Sequence, residues 1–348
     1  MTISPAGVTP ADRPSAAADI PVAGTVTAGD GDTDHRAKDH SDEDHRAALR
    51  RIDPLRMAEM TTLTDAPGLV RLATHAALIA LGVWAVLETD GWLRVLAQFG
   101  LGVALIFLFS LCHECVHRTA FRTGWLNDRV GQITGFLIFL PAASFRYFHF
   151  AHHRYTQDPE RDPELASPKP ATLPGYLWRL TGWHYWSAQI VGIPRTAFGG
   201  DLPGWVPPRG VAKVRREARW HLAIYAALLG LSVAAGSAIL WNIWILPLLL
   251  GQPVLRAFLM AEHTACPTVP DMLANTRTTF AHRLVRWLSW EMPYHTAHHA
   301  APTVPFHRLG DLTAHLERSL KSRAEGYPDA HRQIVAALGT SASKAEPG

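Results

Sequence analysis

From Leu222 to Leu255 the chain runs for 34 positions without one Asp, Glu, Lys or Arg. As a single helix this run would extend ~51 Å, well beyond a ~30 Å hydrocarbon core. Widened to Trp220–Met260, it supplies two crossings, near 220–239 and 241–260, with a tight turn near Gly236 to Asn242. The core helices of a soluble protein do not need an uncharged run of this length, so the bilayer is the solvent that shapes the chain. Two more apolar runs come earlier. Leu69–Leu87 carries only Arg71 and His75, both close to its start, and Val95–Leu111 has no charge. The acidic turn Glu88-Thr89-Asp90-Gly91 separates them, which predicts a first hairpin with crossings near 69–87 and 92–112. Val130–Phe145 is apolar but sixteen residues long and contains Pro141, so a re-entrant or interfacial helix near 130–145 fits it better than a crossing.

The basic residues set an expected orientation. The turns after the first and third crossings hold no Lys or Arg beyond Arg94, whereas the opposite side carries Arg118, Arg122, Arg129, Arg146, Arg154, Lys169, Arg209, Lys213, Arg215, Arg216 and Arg219, among others. That side is expected to be cytoplasmic. Trp92, Trp241 and Trp244 would form an aromatic belt at the far interface, with Trp125 and Trp220 at the near one. The expected fold is an all-α integral membrane protein: four transmembrane helices in two hairpins, beneath a cytoplasmic histidine-rich metal-binding cap. Residues 1–55 are rich in Ala, Pro, Asp, Thr and Gly and predict a disordered leader; His35, His40 and His45 fall in it as solvated residues. Residues 56–325 form the membrane domain and 326–348 a C-terminal tail. A net charge of +3 does not call for nucleic acid, and three Cys do not make a disulfide framework.

Histidines recur in a pattern. His113 and His117 are spaced H-x-x-x-H, and H-x-x-H-H occurs twice, at His149-Phe150-Ala151-His152-His153 and at His295-Thr296-Ala297-His298-His299. On a helical turn, positions i, i+3 and i+4 share one face. Neutral imidazole ligates iron, copper or zinc. All three boxes fall on the basic side, and His263 lies level with them just after the fourth crossing. The first box, His113-Glu114-Cys115-Val116-His117, is also literally H-E-x-x-H, so a membrane zinc metalloprotease using His113, Glu114 and His117 is a rival reading. It leaves the other two boxes without a purpose. Eight histidines exceed the needs of one tetrahedral zinc and suit two ions of higher coordination.

These boxes, with Thr156-Gln157-Asp158-Pro159-Glu160-Arg161-Asp162-Pro163-Glu164, Glu262-His263, Asn275-Thr276-Arg277 and Pro302-Thr303-Val304-Pro305-Phe306, resemble the membrane fatty-acid desaturase superfamily over roughly residues 65–320. That superfamily includes acyl desaturases, alkane and carotenoid hydroxylases and carotenoid ketolases. The resemblance implies two non-haem iron ions held by His113, His117, His149, His152, His153, His263, His295, His298 and His299, with O2 as co-substrate. It implies an oxidoreductase acting on the C–H bonds of a lipid chain. A fatty-acyl desaturase making a C=C bond is the leading expectation; a hydroxylase or ketolase of a carotenoid, alkane or other lipid is the alternative. The chain carries no fused cytochrome, no Cys-rich iron–sulfur pattern and no strand-associated G-x-G-x-x-G, so an external ferredoxin or cytochrome with its reductase is the expected electron donor.

Other positions receive lesser roles. Glu114 and Glu262 would orient ligating imidazoles. The acidic run Asp158–Glu164, with two Pro, predicts a solvated loop. Arg277 would pair with an acidic headgroup or a neighbouring Glu. Cys112, Cys115, Trp287 and Trp290 are expected to be packing residues, and His184, His221, His282 and His307 ordinary interfacial histidines.

Overall fold

A computed structural model describes residues 44–339 of the chain. Two short helices precede the first apolar run. In α1 (His45–Arg50) the Asp44 side chain accepts the Ala47 N–H at 2.8 Å, and in α2 (Pro54–Met60) Asp53 accepts the N–H groups of Leu55 and Arg56 behind a proline at the first position. The His45 N–H donates to Asp271 Oδ1 (3.0 Å), the Met272 N–H donates to the His45 ring, and Ala48 and Ile52 are buried. The disordered leader expected through residue 55 is thus corrected from Asp44 onward. Local caps and a docking carboxylate order a stretch whose composition reads as tail, and His45 is docked rather than solvated. His35 and His40 lie outside the described residues.

α3 (Ala66–Glu88) and α4 (Gly91–Ile106) pack along each other, joined by a turn in which Gly91 takes φ +56°, a backbone region that suits glycine. After Phe107 the path continues as α5 (Leu108–His117), whose end is set by Arg118 in the left-handed region. α3 leaves Leu69, Val70, Leu81, Trp84 and Leu87 exposed, a wide apolar face without protein cover. α6 (Gly124–Leu137) and α7 (Ala142–Tyr155) follow, bent by 101° across a four-residue break. The single helix expected near 130–145 is therefore two. Phe139 at φ +59° turns the chain, and Pro141, lacking an N–H, sits at the entry of α7.

α8 (Leu173–Leu180) and α9 (Trp183–Ala197) are short and expose Leu173, Leu177, Trp178, Trp183, Ile190 and Val191. α10 (Pro208–Ala234) is basic through Arg219 and apolar only from Trp220, so the crossing expected at 220–239 stops five residues early. The turn follows with Gly236 at φ +57°, then a π-helical turn at Trp241–Ile245 leads into α11 (Leu246–His263). Among the described residues three stretches, 66–88, 91–117 and 241–263, are long and apolar enough to cross a membrane. α11 packs chiefly along α4, and α10 along α9, so the last two expected crossings are not each other's main neighbours. The α4–α11 contact is close because both helices lack side chains there: a Cβ on Gly102 would lie 2.0 Å from Pro247 O, and one on Gly251 would lie 2.4 Å from Gly102 O. Of the tryptophans expected at the interfaces, Trp92, Trp125, Trp220 and Trp241 are exposed, whereas Trp244 is buried with its Nε1–H donated to Leu137 O at 2.7 Å.

Beyond α11 the chain builds a cap from α12 (Met272–Asn275), α13 (Arg283–Leu288), α14 (His295–Ala300), α15 (Leu309–Leu316) and α16 (Tyr327–Ala336). A two-residue parallel pairing of β1 (Thr278–Thr279) with β2 (Arg323–Ala324) is the small departure from an all-helical chain. The region expected as a C-terminal tail is ordered as far as Gly339: α16 packs on α11, with the Tyr327 ring stacked 5.4 Å from Phe258, and the Gly339 N–H reaches Ala171 O.

Candidate metal centre

Four helices deliver the histidines. α5 carries His113 and His117, α7 carries His149, His152 and His153, α11 ends on His263, and α14 carries His295, His298 and His299. The close approach of α4 to α11 fixes the height of His263, while the Thr296 hydroxyl, donating to Thr276 O at 2.8 Å, ties α14 to the end of α12. All nine sequence-predicted residues come together. Ring nitrogens of His113, His117, His149, His153 and His298 lie within 4.8 Å of one another, and those of His152, His263 and His299 form a second such group. His295 joins the second group, its Nε2 lying 3.1 Å from the Nε2 of both His263 and His299.

The donor chemistry is compatible with a bound cation. Nε2 faces Nε2 between His149 and His153 (2.9 Å), His153 and His298 (3.1 Å), and His152 and His263 (3.2 Å). Two neutral imidazoles meeting through Nε2 share at most one proton, and the His113 and His117 Nε2 atoms are buried with no hydrogen-bond partner. Burial, reinforced by the neighbouring histidines, holds His295, His298 and His299 well below the usual histidine pKa of 6.5, so they are neutral at pH 7 with a lone pair to donate. Converging neutral lone pairs in a dry pocket fit a site for two metal ions.

The outer nitrogens differ in their partners. In the second group, His152 Nδ1 lies 2.9 Å from Asp162 Oδ1 and 3.2 Å from Glu164 Oε2, and His263 Nδ1 lies 3.2 Å from Asn275 O. His299 Nδ1 is 3.2 Å from Thr156 Oγ1, and His295 Nδ1 is 3.6 Å from Glu262 Oε1. Asp162, the Asn275 carbonyl and Thr156 fix three of these rings so that Nε2 points inward, whereas His295 Nδ1 makes no hydrogen bond to Glu262. In the first group, His113 Nδ1 and His298 Nδ1 have no hydrogen-bond partner among the described residues.

Several smaller expectations are corrected. Asp162 is not in a solvated loop; it is buried, and it also accepts the backbone N–H groups of Gln157 and Glu164. Asp158 in the same acidic run behaves as expected, pairing with Arg161 at the surface. Among the described residues Arg277 pairs with no Glu: it is buried and donates to the carbonyls of Ala261 and Thr264 and to Gln333 Oε1. Glu114 is turned away from His113 (4.0 Å), accepting from the Thr119 hydroxyl (2.8 Å) and the Phe306 N–H (3.2 Å). A zinc protease built on His113 and His117 would leave the seven other clustered histidines without a role, so the cluster does not support that reading. Cys112, Cys115 and Trp290 are buried packing residues.

Comparison with known proteins agrees with this geometry. The fatty acid desaturase family model matches residues 90–330, more than two thirds of the chain and every histidine of both groups. The chain belongs to the fatty acid desaturase family. It is 24% identical over 262 residues to an sn-1 oleoyl-lipid 12-desaturase of Picosynechococcus, covering 68% of this chain and 73% of that protein. It is 25% identical over 280 residues to the dihydrorhizobitoxine desaturase of Bradyrhizobium elkanii (75% and 76% covered), and 22% identical over 284 residues to a sphingolipid delta(4)-desaturase DES1-like protein of Arabidopsis thaliana (78% of each). These desaturases are named for different substrates, so family membership supports an oxidoreductase of lipid metabolism and leaves its substrate open.

Proposed function

We propose that this chain is a multi-pass membrane desaturase that introduces a C=C bond into the acyl chain of a lipid, using O2 and electrons from an external carrier. The observation that carries the reading is the division of nine inward-facing imidazoles into a group of five and a group of four, with Asp162 and Glu164 beside His152 on the outer side of the second. His113, His117, His149, His153 and His298 would hold one iron; His152, His263, His295 and His299 would hold the other. Iron bound there supplies oxygen activation and abstraction of hydrogen from an unactivated C–H bond. The protein's own part is orientation and dryness: Asp162, Thr156 and the Asn275 carbonyl hold three rings in place, and burial excludes water from the pocket.

In this reading the chain crosses the bilayer four times, with the apolar half of α10 completing the set, and the histidines lie on the cytoplasmic side with the basic segments. The same basic surface would receive an acidic ferredoxin or cytochrome, supplied in turn by a reductase. The oleoyl-lipid 12-desaturase similarity favours a membrane-lipid acyl chain as substrate. The test is elemental analysis of the purified full chain. Two iron atoms per chain, with activity rising with iron content, support the proposal; activity independent of iron, or stoichiometric zinc alone, rejects it.

A further inference from the structure

The nine clustered histidines are not equally covered. Seven are buried, while His117 and His153, both in the group of five, are partly exposed, with their rings 4.7 Å apart. The Nε2 of His117 is itself buried, so that ring meets the surface with another edge. The histidine cluster thus comes to the surface on one side, that of the group of five.

The surface beside these two edges is aromatic and basic. On α7, Arg146, Phe150 and Arg154 stand at i, i+4 and i+8 and share a face. Phe150 is 39% exposed, its ring 5.4 Å from that of His117, and the Arg146 guanidinium lies 4.6 Å from its centroid. Arg154, next to His153, is exposed and pairs with no acid among the described residues. Arg118, next to His117, is exposed with its charge met by Asp128 at 2.9 Å. Asp128 is the single acid between residues 118 and 155, which also carry Arg122 and Arg129. The group of four is covered differently. Asp162 and Glu164 lie against His152, Glu262 lies 3.6 Å from His295 Nδ1, and the Lys169 ammonium is turned inward onto His263 O and Gln157 Oε1. A negatively charged partner meets acids on that side and arginines on the other.

We propose that an acidic one-electron carrier docks on Arg146, Phe150 and Arg154, and that its electrons enter through the partly exposed edges of His117 and His153. This rests on the desaturase reading, in which O2, two electrons, two protons and the two hydrogens leaving the acyl chain become two waters. Each docking passes one electron inward and releases the carrier oxidised, so two dockings serve one double bond. Electron transfer weakens steeply with distance, so the productive site is where the cluster reaches the surface. An exposed aromatic flanked by arginines has the make-up of a binding hot spot, and the arginine charge selects an acidic partner.

The test is carrier binding to the iron-loaded full chain in phosphatidylcholine nanodiscs, by biolayer interferometry. The probes are a plant-type ferredoxin and the soluble haem domain of a cytochrome b5. The parent is expected to bind at least one of them, less tightly as salt rises. Arg154→Glu should weaken binding about tenfold or more and Phe150→Ala several-fold, whereas Arg332→Glu, which reverses an exposed arginine on α16, should stay within about twofold of the parent. Iron content, measured on the same samples, separates two failures. A chain that binds no iron fails the desaturase reading; an iron-loaded chain whose carrier binding ignores both Arg154→Glu and Phe150→Ala fails this proposal alone. A parent that binds neither probe, or an equal loss in Arg332→Glu, would also overturn it. So would phosphatidylglycerol nanodiscs in which the Arg154→Glu difference disappears, since the patch would then serve the lipid surface.

Discussion

Asp162→Asn is the most informative single substitution outside the histidines. Asp162 Oδ1 lies 2.9 Å from His152 Nδ1 and accepts the Glu164 N–H at 2.9 Å, while Oδ2 accepts the Gln157 N–H at 2.8 Å. Asparagine can keep its carbonyl oxygen in the Oδ1 position and still orient His152. Its NH2 then faces the Gln157 N–H, donor against donor in a buried site, which costs about 1–3 kcal/mol of stability. The negative charge that raises the basicity of His152 is also lost. A partner of this kind is worth roughly 10–100-fold in metal affinity, or ~1.4–2.8 kcal/mol. The assay is competition for Fe(II) against a coloured chelator, with circular dichroism to verify that the helices persist. Asp158→Asn is the control, since Asp158 pairs with Arg161 at the surface and should leave iron affinity unchanged. Wild-type iron affinity in a folded Asp162→Asn protein would refute the idea that this carboxylate organises the second histidine group.

Three further outcomes are expected. His298→Ala removes a member of the group of five and His299→Ala a member of the group of four, so each should lower iron from two atoms per chain to about one, as read by elemental analysis. Gly102→Ala places a methyl 2.0 Å from Pro247 O and must part α4 from α11; a loss of about 1–3 kcal/mol or more is expected in thermal melts in detergent, with reduced iron because α11 ends on His263. Asp271→Ala removes the acceptor of the His45 N–H and the partner of Lys321 at 3.1 Å, so trypsin should cut at Arg46 and Arg50 markedly faster than in the parent.

Much of the site is legible in the sequence because helical spacing converts directly into shared faces. His149, His152 and His153, like His295, His298 and His299, needed only an i, i+3, i+4 relation to converge, and His263 needed only its height at the end of an apolar helix. The apolar runs locate α3, α4 and α11 for the same reason. Features that depend on long-range packing were not legible. Asp158 and Asp162 share one acidic run, and only the return of the loop over α7 buries the second and leaves the first at the surface. Composition marks residues 44–55 as leader, yet Asp271, more than two hundred positions later, docks them. The end of α10 at Ala234 and the break at 138–141 each turn on packing partners that spacing does not specify.

The central claim is that this histidine pocket removes hydrogen from a lipid chain. Its most direct test is mass spectrometry of defined oleoyl phospholipids incubated with the iron-loaded full chain, O2 and a ferredoxin with its reductase, beside the His298→Ala protein. The account predicts a product lighter than its substrate by two hydrogens, formed only by the parent chain, with fragmentation placing one new double bond. A product heavier by one oxygen, or one formed equally by the His298→Ala protein, would contradict it.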